Sequence, residues 1–524
     1  MTHSNYGPDQ PEYSAPPLPP EAFQHPDVYL PHAYPPPPRK GGHGKKIIAG
    51  LTLAAVAAGG AVAAYAYTML ASSGIQPERV LPANTVAFVK LDLDPAAGQK
   101  VAAYRLSKKF PAISKGASDL DGARDAILSE FFDKQSELDY ATEIKPWLGD
   151  RIAVAAVPNP ASEAGLDPVL AVAYTDEAKM KAAFSKVART ERAFGYVTID
   201  GYALVTDSQP HAEAVLAGVR RATLAGAEHY RADLKALDGD QLAVGWADLE
   251  ATVAALKAGT RSGSSSRWQG LDRLDTLAAA KGRIVIGAHA SSDYLEISAV
   301  SRQRVVSGEP RLAGKPVNGT LARLGAVDTS AALEVTGLGE AFKQAWAGAS
   351  TALGLGGELE DFLEETGLRL PEDLVALFGS DATLSLRLPQ GASGDPEIAA
   401  QVTTDDAGRA MRVVDSLGRP FGFPADSLHT RATADGYLVS NSAGYDPRST
   451  AGARTLGADP AFQKAVPDRA DAGLIGYLNL GAILDSDKHA SAKDKADWKH
   501  VGALGLSVVP TSDGSRINFR LTTR

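Results

Sequence analysis

The chain has 524 residues, no cysteine, 44% hydrophobic and 22% charged residues, and a formal net charge of -9 at pH 7. The lack of cysteine excludes disulfide bonds, thiolate zinc sites, a thiol nucleophile and a lipidated cysteine. The weak net acidity argues against a nucleic-acid partner. A chain of this length can bury large cores, so we expect two globular domains that are stabilised by packing alone.

Residues 1–46 are crowded with proline, including the run Pro35 to Pro38. Proline denies the backbone regular hydrogen bonds, and few aliphatic residues are present to form a core. We expect a disordered cytoplasmic tail with local polyproline II structure. It is either a spacer or a segment that docks into an aromatic groove.

Residues 47–71 form an uncharged segment that is long enough to cross a hydrocarbon core of about 30 Å as one transmembrane helix. Four basic residues precede it, namely Arg39, Lys40, Lys45 and Lys46. Only Arg79 and Lys90 fall in the twenty residues that follow. This asymmetry places the N-terminus in the cytoplasm and residues beyond about 72 outside the cell membrane.

Two alternatives concern the same segment. Ala64-Tyr65-Ala66 resembles a signal-peptidase site, but the preceding polar region is much longer than a secretory signal has, which favours an uncleaved anchor in the lipid bilayer. Gly50, Ala54 and Ala58 form a small-residue row that would allow a homodimer through the transmembrane helix. Alanine-rich composition explains the same row without a dimer.

The first strong pattern beyond the membrane segment lies at residues 85–94, where apolar residues alternate with charged ones as in a half-buried strand. Asp94-Pro95 then begins a helix that Phe110-Pro111 ends. The acidic pair Asp92 and Asp94 also suggests calcium, but no further acidic loop supplies the six or more oxygens that this ion needs.

Hairpin strands then alternate with amphipathic helices as far as residue 300, and Asp200-Gly201 is a favoured hairpin turn. The predicted strands cover residues 151–157, 169–174, 196–199, 202–205, 242–246, 283–288 and 294–300. The predicted helices cover 121–134, 175–187, 211–219, 230–237 and a segment that begins at Asp248, and 259–267 is a flexible loop.

The same order of patterns recurs after residue 318. The matches pair 149–152 with 379–382, 167–168 with 395–396, 175–178 with 404–407, 200–202 with 435–437, 245–249 with 476–480, and 292–293 with 512–513. In the second set we expect Ala331, Leu333 and Val335 to face the core, with Glu334 in the place of Asp92.

We therefore predict an α+β fold with two tandem repeats, residues 80–303 and 318–524, joined by a linker at 304–317. Each repeat is predicted to be mostly antiparallel sheet with packed helices. The order of the strands does not follow from the pattern.

Several short segments also resemble the start of a known family. They are Leu81-Pro82-Ala83-Asn84-Thr85, Asp92-Leu93-Asp94-Pro95, Gly98-Gln99-Lys100 and Lys109-Phe110-Pro111. They are similar to an actinobacterial family of membrane-anchored proteins of unknown function, of the DUF3352 type. The resemblance covers the anchor and the extracytoplasmic part, and it implies no activity, substrate, cofactor or catalytic residue.

A search for chemistry in the sequence finds no G-x-S-x-G, H-E-x-x-H, P-loop or dinucleotide-binding motif. The glycines at 354–357 lack a preceding strand and read as a loop. The histidines beyond the membrane segment are scattered without metal-ligand spacing and read as isolated; they are His211, His229, His289, His429, His489 and His500. We therefore predict no catalytic, cofactor-binding or metal-ligating residue.

The basic cluster Lys100, Arg105, Lys108 and Lys109 is either a solvated helix face or a contact for anionic headgroups. Taken together, these patterns favour a non-catalytic protein of the cell envelope that binds or scaffolds an envelope protein or a lipid. A hydrolase whose site forms only in three dimensions, and a lipid or glycolipid carrier, remain the alternatives.

Overall fold

A computed structural model describes the chain beyond residue 74 in several stretches that belong to one compact unit, residues 43–524. These stretches are 75–92, 97–109, 138–160, 164–190, 194–260, 282–302, 319–352, 363–389, 395–418, 427–448, 453–487 and 490–524, with a few single residues between them. The predicted tail 1–46, the transmembrane segment 47–71, most of the helix at 121–134 and nearly all of the linker 304–317 lie outside the described residues. Within the described stretches, none of the helices combines the length and the apolar character needed to cross a bilayer.

Sixteen strands of the described chain form one antiparallel sheet, which confirms the predicted α+β class. They are β1 Ala87–Asp92, β2 Leu148–Pro158, β3 Leu166–Tyr174, β4 Gly195–Ile199, β5 Tyr202–Thr206, β6 Ala243–Asp248, β7 Arg283–Ala290, β8 Tyr294–Arg302, β9 Ala331–Thr336, β10 Asp381–Arg387, β11 Glu397–Thr403, β12 His429–Thr433, β13 Gly436–Ser440, β14 Leu474–Leu478, β15 Val501–Thr511 and β16 Gly514–Thr523.

The helices pack on the two faces of this sheet. They are α1 Ala97–Lys108, α2 Glu177–Thr190, α3 Gln209–Arg221, α4 Glu228–Leu234, α5 Leu249–Thr260, α6 Leu338–Ala352, α7 Glu372–Phe378, α8 Ala407–Gly418, α9 Pro460–Ala465, α10 Leu480–Ser486 and α11 Ala492–Asp497. Short 3₁₀ turns lie at Pro77–Arg79, Leu224–Gly226, Leu321–Arg323 and Leu456–Ala458.

Two of the predicted helix caps, at Asp176 and Asp248, are present. Asp176 accepts a hydrogen bond from the backbone N–H of Lys179 at 3.0 Å, and Asp248 accepts one from Ala251 at 2.9 Å. These side chains satisfy N–H groups that the first turn of a helix leaves unpaired, so α2 and α5 begin where the sequence indicates.

The strand order reads the same outward from the centre of the sheet on both sides. One side runs β8-β7-β6-β1-β2-β3-β5-β4, and the other runs β16-β15-β14-β9-β10-β11-β13-β12. The two sides meet where β8 pairs antiparallel with β16, from Tyr294 opposite Thr522 to Arg302 opposite Gly514. We call β1–β8 the first half and β9–β16 the second half.

In the first half, hydrophobic cores lie on both faces of the sheet. On one face, Phe88, Tyr202 and Trp246 pack with residues of α3 and α4. On the other face, Leu148 and Val172 pack with Met180 of α2 and its neighbours. Burial on both faces explains why several strands here are almost continuously apolar.

The hairpin between β4 and β5 and the one between β12 and β13 occupy matching places in the strand order, but their registers differ by one residue. Ile199 pairs with Tyr202, so Asp200 and Gly201 form the first turn with positive φ angles of 48° and 79°. In the second hairpin Thr433 pairs with Gly436, so the turn residues are 434 and 435. The sequence match of 200–202 with 435–437 is therefore shifted by one residue.

This shift has a consequence for the two tyrosines, because side chains alternate between faces along a strand. Tyr202 packs in the core with Phe88, whereas Tyr437 packs on the opposite face with Ala376 and Ala410. The predicted equivalence of Tyr202 and Tyr437 is wrong.

The predicted orientation of β9 is wrong for Leu333 and Glu334, although Val335 is buried as expected. Leu333 was expected to face the core, but it is 38% exposed, whereas Glu334 is fully buried. The sheet register further places Glu334 at the position of Lys90 and not at that of Asp92. Alternation alone gives the period of a strand, and it does not show which of its two faces is covered.

Candidate functional site

A cluster of polar side chains lies at the rim of the first half, where β2, β3 and β5 end or begin. Asn159 follows β2, Asp167 lies near the start of β3, Asp207 follows β5, and His211 lies in the first turn of α3. Pairing of β2 with β3 and of β3 with β5 brings these four positions together. We call them the rim cluster.

The His211 ring contacts the other three side chains. Its Nδ1 lies 2.5 Å from Asp207 Oδ1 and 3.4 Å from Asp167 Oδ2, and its Nε2 lies 3.0 Å from Asn159 Nδ2. Asn159 Nδ2 also donates to Asp167 Oδ2 at 2.5 Å. One oxygen or nitrogen from each of Asp167, Asp207 and His211 lies within 4.8 Å of the other two, so the three could hold a metal ion.

Burial differs across the rim cluster. The Asp167 side chain is only 7% exposed, whereas that of Asp207 is half exposed. Burial raises the pKa of Asp167, and the hydrogen bond from Asn159 and the charge of His211 oppose this effect. The cluster therefore combines one buried carboxyl, one solvated carboxylate and an imidazole.

The corresponding rim of the second half contains a different set of side chains. The sheet register places Glu397 at the position of Asp167 and Arg387 at that of Val157. Arg387 forms ion pairs with Glu397 and Asp328, and its guanidinium lies 4.6 Å from the centre of the Tyr445 ring. The second rim thus has a basic side chain of its own between its carboxylates.

A second polar feature lies inside the sheet of the second half. Directly paired residues form a buried row across the strands, and directly paired side chains share a face. The row contains Gln401, Thr383, Glu334, Ile475, Ser507 and Asn518. Glu334 accepts hydrogen bonds from the backbone N–H groups of Thr320 at 2.8 Å and Leu321 at 3.1 Å. Burial and the nearby charge of Asp381 raise the pKa of Glu334 to about 7.

The opposite face of the same strands carries a row of apolar positions. This apolar row contains Ala400, Leu384, Leu333, Gly476, Leu506, Phe519 and Ile297. Three of its larger members are unusually accessible: Leu333, Leu384 and Phe519 are 38–46% exposed, as is the adjacent Ile398, whereas Leu506 and Ile297 are partly buried. On these strands the second half therefore buries polar side chains and exposes apolar ones. Folded proteins ordinarily do the reverse, so this arrangement points to a function.

The histidines and the aspartate that the sequence offers as candidate ligands lie in different parts of the fold. His229 stacks near Trp246, His289 contacts Gln99, and only His211 among the described histidines joins two carboxylates. The prediction that His211 is isolated is therefore wrong. Asp92 lies 3.6 Å from Arg151, an ion pair that accounts for this carboxylate without calcium.

The basic cluster on α1 is only partly available to solvent. Lys109 forms an ion pair with Asp293 and donates to Thr523, so it ties α1 to the junction of the two halves. Lys108 lies over the Tyr104 ring at 5.1 Å, and Arg105 is exposed.

Sequence reasoning missed the rim cluster because its members come from three separate strand ends. One signal was available: Asp207 and His211 are four residues apart at the start of a helix, a spacing that brings side chains together. No sequence pattern marked the exposed apolar row, because each of its strands alternates in the same way as any half-buried strand.

Fold and site together define a class of protein: an α+β chain built on one sixteen-strand antiparallel sheet, with a histidine–carboxylate cluster at one rim and an open apolar face. Residues 47–238 match the model of a family described as "Protein of unknown function (DUF3352)". This match confirms the resemblance to the DUF3352 type over residues 47–238. No curated protein and no solved structure matches the chain.

Proposed function

We propose that the chain is a non-catalytic binding protein of the cell envelope, anchored by residues 47–71, whose two tandem repeats form one platform that holds lipid acyl chains. The exposed apolar row is the observation that carries this proposal. Burying apolar surface contributes about 25 cal/mol per Å², so such a face favours an apolar occupant over water.

The chemistry of the row favours a hydrocarbon chain over a protein partner. The side chains of the row offer no hydrogen-bond donor or acceptor, and its strands lie inside the sheet, where both neighbours pair with their backbones. A protein interface surrounds its apolar centre with a polar rim, whereas an acyl chain requires only apolar contact. Seven strands spaced by about 4.8 Å make the row about 29 Å long, enough for an extended acyl chain.

The two-repeat organisation is supported by the matching strand order on the two sides of the β8–β16 junction. The register supports it as well, because Ser298 and Asn518 occupy corresponding positions and also pair with each other. The charges on either side of residues 47–71 support a cytoplasmic N-terminus and an extracytoplasmic sheet.

The test is photo-crosslinking in cells that express the full chain and take up a diazirine fatty acid. We expect crosslinked peptides from β9, β10 and β16, and their loss in the double variant Leu333→Glu/Leu384→Glu. Val327→Glu is the matched control, because Val327 is 71% exposed and lies outside the row. Equal crosslinking in the double variant, or capture of a protein in place of the lipid probe, would overturn the proposal.

A further inference from the structure

The rim cluster offers three metal-ligating atoms in a nearly suitable arrangement. Zinc binds histidine nitrogen and carboxylate oxygen at about 2.0–2.2 Å, which places the ligand atoms of a tetrahedral site about 3.4 Å apart. His211 Nδ1 and Asp167 Oδ2 already lie 3.4 Å apart. Asp207 Oδ1, at 2.5 Å from the same nitrogen, has to move back, and its half-exposed side chain has room to do so.

The two rims of the sheet differ in how their carboxylates are neutralised. In the second half Arg387 provides a positive charge between Glu397 and Asp328. In the first half the position of Arg387 is taken by the buried Val157, and the carboxylate at the position of Glu397 is Asp167. Among the residues that the structure describes, Asp167 interacts with Asn159, His211, Ser162 and Asp207, and none of these is a lysine or arginine.

From this difference we propose that the rim cluster binds one divalent transition-metal ion, with zinc preferred, through Asp167, Asp207 and His211. The mixture of one imidazole and two carboxylates suits zinc better than magnesium or calcium, which prefer ligand sets made of oxygen alone. A water molecule completes the four ligands.

Asn159 is the positioning residue of this site. When Nδ1 of His211 binds the metal, the ring proton lies on Nε2, which faces the Asn159 amide at 3.0 Å. The amide turns its oxygen toward this N–H group, and the metal replaces the Asn159 N–H as the partner of Asp167. The ion then joins the β2–β3 hairpin to the first turn of α3.

The test uses the full chain, purified in detergent with a histidine-free tag and stripped with a chelator. Zn²⁺ binding is measured by calorimetry, and Co²⁺ serves as a spectroscopic probe because its visible absorption distinguishes four ligands from six. We expect one tight site per chain and a four-coordinate Co²⁺ spectrum. Asp167→Asn and His211→Gln should each weaken Zn²⁺ binding 100-fold or more, and His429→Gln, on the edge strand β12, should leave it unchanged.

A further variant copies the second rim into the first. Val157→Arg should remove the Co²⁺ spectrum, because the guanidinium takes the place of the ion. Thermal unfolding of each variant shows whether it is folded, and Asp167→Asn and His211→Gln decide the outcome if Val157→Arg is not. The proposal is overturned if the wild-type chain shows no stoichiometric site, or if both single variants bind Zn²⁺ as tightly as the wild type.

Discussion

Ser298 and Asn518 lie directly opposite each other at the β8–β16 junction, and the Ser298 hydroxyl donates a 2.9 Å hydrogen bond to the Asn518 side-chain oxygen. The Asn518 amide in turn donates to Asp468 at 2.9 Å. The two residues hold corresponding positions in β8 and β16, as a local twofold axis between them requires. The junction is therefore held by side chains as well as by backbone pairing.

We expect Asn518→Ala to lower the free energy of unfolding by about 1–3 kcal/mol, since it removes both hydrogen bonds of a buried side chain. Ser298→Ala should cost less, about 0.5–1.5 kcal/mol. Urea unfolding of both single variants and the double variant measures their coupling. Thr511→Ala, on an exposed hairpin, is the control, and strictly additive effects would contradict a direct bond between the two residues.

A second prediction concerns Asp233, which is 1% exposed and joins α4 to the sheet. It accepts a hydrogen bond from Trp246 Nε1 at 2.9 Å and forms an ion pair with Arg283 at 2.7 Å. Asp233→Ala leaves these donors without their acceptor, so we expect a loss of about 3–5 kcal/mol in the free energy of unfolding. Asp238→Ala, whose side chain is exposed, should change stability by less than about 1 kcal/mol. Equal losses would show that Asp233 is not the anchor of α4.

Stability should depend on pH through Glu334, whose pKa is raised to about 7 by burial and then by the nearby Asp381 charge. Between its ordinary value of 4.5 and about 7, the folded chain holds a proton that the unfolded chain releases. The contribution of this proton is fully present below pH 4.5 and is lost as the pH rises through 7, by up to about 3 kcal/mol.

Glu334→Gln removes this titration and keeps the shape of the side chain. Between pH 5 and pH 8, the free energy of unfolding measured in urea should fall less steeply with rising pH for this variant than for the wild type. Glu340→Gln, at an exposed position of α6, should keep the wild-type slope. A Glu334→Gln curve parallel to that of the wild type would show that Glu334 is ionised throughout this range.

The sequence predicted most individual elements of the described chain and did not predict how they combine. The alternation in β1 and the caps at Asp176 and Asp248 depend on neighbouring residues, so the sequence is enough to find them. The β8–β16 pairing joins residues more than 200 positions apart, and nothing in either strand specifies its partner.

The same limit explains the errors within the second half. A period of two is unchanged when a strand is turned over, so Leu333 and Glu334 exchange their expected environments without any change in pattern. The rim cluster depends on three strand ends that meet only after the sheet forms. Asp167 gave no separate sign of its burial, because aspartate is seldom buried and neither Leu166 nor Pro168 beside it indicates otherwise.

The topology prediction is tested with an epitope at each end of the chain. Protease added to intact spheroplasts should digest an epitope at Arg524 and spare one at Met1, because the charges on either side of residues 47–71 favour a cytoplasmic N-terminus. Protection of the C-terminal epitope would reverse the orientation. Loss of the N-terminal epitope from mature chains would favour a cleaved signal peptide.

Carbene footprinting of the full chain shows whether the apolar row is open to an acyl chain. Without ligand, Leu333, Leu384, Ile398 and Phe519 should be labelled heavily, whereas the buried Thr383 between Ala382 and Leu384 should not. Adding a long-chain fatty acid should then protect the row and leave the labelling of Val327 unchanged. Labelling of the row that is unchanged by the fatty acid, with Val327 as the reference, would contradict the account.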